Sequence, residues 1–186
     1  MKNLVFALTL VAAMAASAEL KLGTVDMMLL VRNHPDYERN KTLLESTDKD
    51  YQKKLEGVKS EGDSLQAEGK KLVEQMRNPM LTAKAKADIE KQLTEIQQKL
   101  MAVEQRYRSE ALRLRQDLQG LEGRLLKTTT DDLRKRISKY AEANGFDLIV
   151  DQTAAAYTKK SFDVTDGLLK DLGVDPKDAK GRDEGK

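Results

Sequence analysis

The chain holds one histidine, His34, and no cysteine, so the side chains that most often carry acid–base, nucleophilic or metal chemistry are almost missing. His34 stands beside Pro35 at a helix junction, where a lone exposed imidazole is a structural residue rather than a ligand or general base. Serines and aspartates are scattered, without the nucleophile–base pairing that acyl transfer needs. Gly145 and Gly167 open no phosphate-cradling loop, and no P-loop or dinucleotide fingerprint occurs. The reading is a non-enzyme without cofactor or metal. What remains suits weak contact at many points. Met76, Met80 and Leu81 cluster at one turn, and thioether chains adapt to irregular apolar partners. Lys70, Lys71, Arg77, Lys84 and Lys86 stand around them as candidates for steering anionic groups. Packing of the turn and a solvated basic face are the competing accounts of these two sets.

These contact residues sit at the end of a long periodic pattern. Tyr37, Leu44, Tyr51, Val58, Leu65 and Leu72 recur seven apart, and Leu93, Leu100, Tyr107, Leu114 and Leu121 repeat the spacing after Asn78 and Pro79. A sustained seven-residue apolar repeat describes a helix that buries one narrow stripe against another helix. The two ridges mirror each other about position 79, so the partner is the same chain folded back. An arm over residues 36–140 is predicted, with its tip near 77–81. The return helix starts either at Thr82 as N-cap or at Asn78 with Pro79 in the first helical position. It runs to Asn144 and Gly145, with one stutter at Ala111. Mirroring also sets Leu55 against Val103, Gly62 against Ile96 and Gly69 against Ile89. The glycines make the outer half of the arm its softer half, since each costs about 1 kcal/mol relative to Ala inside a helix.

Charge does not point to nucleic acid. The chain carries 33 Lys and Arg against 31 Asp and Glu, interspersed rather than striped. Acid-first pairs at i,i+4, among them Glu45/Lys49, Asp50/Lys54, Glu95/Lys99, Glu104/Arg108 and Asp132/Arg136, describe an exposed helical surface. The first residues are a targeting segment: Lys2, an apolar run over 4–16 too short to span a bilayer, and Ala16-Ser17-Ala18 as a cleavage site. A signal peptide over 1–18 makes this an exported protein. With no cysteine, packing alone holds its fold.

The rest forms a small body over 19–35 and 141–174. Strands are predicted near 20–25, at 146–151 and, containing Tyr157, at 154–159. A short helix through Leu168, Leu169 and Leu172 follows, capped by Asp163 or Thr165 and ended by Gly173. A charged tail over 175–186 is expected to be mobile. Three short strands have two edges and little apolar area to cover them. Further copies of the chain are the default partner, with Leu20, Leu22, Val25, Leu148, Val150 and Tyr157 as the candidate oligomerisation core. The fold class is therefore α+β, mostly α: a long antiparallel helical hairpin on a small β body completed by oligomerisation.

The segment Lys21-Leu22-Gly23-Thr24-Val25-Asp26-Met27 resembles the opening strand of the Skp/OmpH family of periplasmic chaperones. Phe146-Asp147-Leu148-Ile149-Val150-Asp151, then Ala155-Ala156-Tyr157, then Asp163-Val164-Thr165-Asp166-Gly167-Leu168-Leu169-Lys170 are similar to that family's closing motif. The resemblance implies a periplasmic homotrimer whose strands build a central barrel and whose arms enclose a cavity. It also implies a role as an ATP-independent holdase for unfolded outer-membrane proteins, with weak contact to lipid or lipopolysaccharide left open. A structural or adaptor coiled coil of the envelope is the alternative.

Overall fold

The computed structural model describes residues 20–182, so the signal peptide expected over 1–18 lies outside the described residues. In chain order come strand β1 (Leu22–Val25), helix α1 (Met27–Arg32), helix α2 (Tyr37–Met76), helix α3 (Ala83–Asn144), strand β2 (Leu148–Asp151) and helix α4 (Thr165–Asp171). Single 3-10 turns stand at Gln152–Ala154 and Lys160–Phe162. β1 and β2 pair in parallel, from Leu22 with Leu148 to Val25 with Asp151. Parallel neighbours need a crossover connection. Here the crossover is the whole excursion through α1, α2 and α3, so the arm grows from between two adjacent strands.

α2, at 40 residues, is about 60 Å long at 1.5 Å per residue. Its heptad face meets α3 along one seam, where Val58, Leu72, Ile89, Ile96, Val103 and Leu114 are buried. Thr82 begins α3: its Oγ1 accepts the Ala85 N–H at 3.2 Å, which decides between the two expected starts. Asn78 instead shapes the loop, accepting the Met80 N–H at 3.0 Å. Gly145 closes α3 in the left-handed conformation at φ 66°, the backbone state that ends helices at little cost for glycine.

The body core gathers Val25, Leu29, Leu30, Leu133, Val164, Leu168 and Leu169 between α1, α4 and the foot of α3. Polar bonds lock the corner where the helices start. Asp26 caps α1 by accepting the Leu29 N–H at 2.8 Å, and its own N–H donates to Thr165 Oγ1 at 2.9 Å. Asp163 Oδ1 in turn accepts from the Thr165 backbone N–H at 2.9 Å.

Four expectations are corrected. Residues 154–159 form no strand: Ala155 and Lys159 have extended backbones, but no strand among the described residues pairs with them. β1 spends its second edge on a single bridge from Thr24 to Asp163. The arm register is shifted by seven. A Cβ on Gly62 would lie 3.5 Å from Val103 and one on Gly69 3.6 Å from Ile96, so the ridges mirror between positions 82 and 83. A heptad row slid by seven keeps the same faces in contact, and in the observed setting Leu81 packs against the Leu72, Ile89 and Ile96 cluster. The tail, expected to be mobile, packs on the body over 174–182, where Pro176 and Ala179 are buried. Finally, His34 is buried, not exposed. Its Nδ1 accepts the Asp36 N–H at 3.1 Å, leaving the ring proton on Nε2, 3.1 Å from Asp132 Oδ2.

Candidate functional site

Two surfaces carry the candidate residues, one on the body and one along the arm. Side chains alternate across a strand, and in the β1–β2 register Leu22, Thr24, Leu148 and Val150 share one face. Gly23, Val25 and Ile149 share the other, which is turned to the core. The first face is open: Leu22 and Leu148 are exposed, Leu148 by 53%. The chain after β2 returns along it, so that Tyr157 and Phe162 join Leu22, Leu148 and Val150 around a shallow cavity of about 290 Å³. Tyr157 is 81% exposed, and Leu20 extends the apolar strip beyond the start of β1. Thr24 Oγ1 lies buried on this face without a hydrogen-bond partner among the described residues.

Five of the six expected oligomerisation residues therefore lie on or beside one face. Val25 does not: it is 2% exposed within the chain's own core, because the strand alternation sends it to the opposite side. Phe162 belongs to the face and was not singled out by periodicity. Its signal in the sequence is chemical, an aromatic ring in a polar connector of a chain with three phenylalanines.

Along the arm, the ridge residues divide by depth. Val58, Leu72 and Leu114 are buried, Tyr37, Leu44, Tyr51, Leu65, Leu93, Leu100 and Leu121 are half-buried, and Tyr107 is exposed. A rod of two helices has too few neighbours to cover the flanks of its seam, so partial burial along the ridge is its natural state. Near the tip this leaves a groove of about 500 Å³ between the helices, lined by Leu65, Gly69, Val73, Leu93, Ile96 and Leu100.

The tip residues split the same way. Met76 and Leu81 pack against the Leu72, Ile89 and Ile96 cluster, which is the turn-packing role. Met80 is 86% exposed. Lys70, Lys71, Arg77, Lys84 and Lys86 are all exposed, and none forms an ion pair among the described residues. Ion pairs lie lower on the arm: Glu61 bridges across the helices to Arg106, and Glu104 pairs with Arg108. At the root Asp132 accepts from Arg136 Nε at 2.7 Å and faces His34. The Arg136 hydrogen bond, then the His34 contact, hold the Asp132 carboxyl below its ordinary range.

Among the described residues, no helix is long and apolar enough to cross a membrane. No curated protein matches the chain. A protein-family model described as "Outer membrane protein (OmpH-like)" matches residues 21–172, from the strip before β1 through α4. That span takes in the open sheet face, both arm helices and the helix pair of the core, and the chain belongs to the OmpH-like family.

Proposed function

We propose that the chain is an ATP-independent holdase that keeps unfolded outer-membrane proteins from aggregating in a cavity between helical arms. The OmpH-like family is periplasmic and chaperone-type rather than enzymatic, which supplies the coarse part of this reading. The observation that carries the rest is the open apolar face of Leu22, Leu148, Val150, Tyr157 and Phe162 at the root of a long two-helix arm. Such a face is covered most simply by further copies of the chain. Cyclic assembly through it roots several arms side by side, and the family resemblance supports three as their number. The space between the arms is then bordered by half-buried seams and exposed tip residues such as Met80, a surface for many weak contacts rather than one strong pocket. The unpaired cations near the tip add weak attraction for acidic segments of a client or for lipid and lipopolysaccharide head groups.

The test is light scattering from a denatured outer-membrane β-barrel protein diluted into buffer, with and without this protein, alongside its mass in solution. Suppressed scattering by a stable oligomer is expected. A stable oligomer that gives no suppression at several-fold excess favours the structural or adaptor reading instead.

A further inference from the structure

The segment after α4 crosses the body and ends beside the root of the arm. Asn33, at the end of α1, holds it through its amide: Oδ1 accepts the Lys180 N–H at 2.9 Å and Nδ2 donates to the Lys180 carbonyl at 3.1 Å. The Lys180 ammonium reaches Glu38 in the first turn of α2 at 2.5 Å, and keeps that carboxyl below its ordinary range. Arg182 pairs with Asp166 of α4. Ahead of these ties in the chain, Ala179 is buried in the core and Pro176 is also buried. Gly181 has φ 86°, and a Cβ there would come within 2.5 Å of the Arg32 guanidinium. One short stretch thus touches α1, α2 and α4 together. It lies beyond the residues matched by the family.

We propose that residues 174–182 are a strap that fixes the α1–α2 corner to the body and so sets how freely the root of α2 moves on α3. α3 runs unbroken from body to tip, and its direction is fixed by its own packing. α2 is different, because it joins the body through the short corner 33–36, and the strap is what closes over that corner.

Hydrogen exchange on three full preparations decides it: the intact chain, a chain stopped after Gly173, and full-length Gly181→Val, whose branched side chain cannot adopt that backbone without strain. In the stopped chain, amides of residues 33–45 are expected to exchange at least tenfold faster, while those of 96–107 stay as in the intact chain. Unchanged exchange at 33–45 overturns the proposal, as does an equal rise along the whole arm, which marks general loss of stability. Should the stopped chain lose its helicity, the same two readouts in Gly181→Val decide.

Discussion

Gly167 lies in α4 where Tyr140 of α3 crosses it, and a Cβ at that position would overlap the phenol. Tyr140 has little room to withdraw, since its ring is stacked on Phe146 at 6.1 Å between centroids, and Lys21 sits over the far ring at 4.4 Å. Gly167→Ala is therefore an overpacking change, expected to cost about 1–3 kcal/mol, read from the midpoint of urea unfolding. Asp132 makes a second, electrostatic claim. Its carboxyl is more acidic in the folded chain than in the unfolded one, through Arg136 and then His34. Its contribution is present above the ordinary carboxylate value of about 4 and is lost as pH falls through the lowered folded value, because the unfolded chain then binds more protons. Stability of the intact chain should fall as pH drops from about 5 to 3, and Asp132→Asn should flatten part of that fall. The effect is small, since solvent screens a carboxylate that stays 43% exposed. An unchanged slope in Asp132→Asn would show that Asp131 and Glu38, both also held below their ordinary range, account for all of it.

At the scale of elements, α2 carries three glycines that its packing does not demand. A methyl on Gly57 would meet nothing, and on Gly62 and Gly69 only ordinary contact with Val103 and Ile96. Each change to Ala should therefore stabilise the arm by up to about 1 kcal/mol, seen as a higher unfolding midpoint. In the unaltered chain, amides of residues 57–76 should exchange faster than those of 114–140. Equal protection in the two stretches would contradict a softer outer half. The same helices show what the sequence could and could not tell. Heptad spacing and the Thr82 and Gly145 stops are local signals, so the helices and their meeting faces were legible. The register was not, because sliding a heptad row by seven leaves the same faces in contact. The residues at 154–159 misled for a related reason. Ala155 and Lys159 are extended, as the composition suggests, but Ala154 closes a 3-10 turn and a strand needs a neighbour, while β1 had already given its edges to β2 and Asp163. The Asn33–Lys180 tie was invisible, since a polar tail becomes ordered through contacts far along the chain.

For the whole molecule, the arm and the body differ in what they leave uncovered. The seam between α2 and α3 is formed within one chain, though its flanks stay half-buried, and the core around Leu30, Leu133, Leu168 and Leu169 is also internal. The sheet face is the part left open, and burying each of its large apolar side chains in an interface is worth about 1.5–3 kcal/mol. Placing carboxylates there replaces that gain with the several kcal/mol cost of burying unpaired charge. A Leu148→Glu, Tyr157→Glu double variant should therefore fall to the mass of one chain in sedimentation while keeping its far-ultraviolet helical signal, because neither residue supports a helix. Its ability to suppress aggregation of a denatured β-barrel protein should fall with its mass, since a single arm encloses nothing. If the double variant keeps the mass of the intact protein, assembly runs through another surface. If it becomes a monomer yet still suppresses aggregation, the arms act one by one and the enclosed space is dispensable.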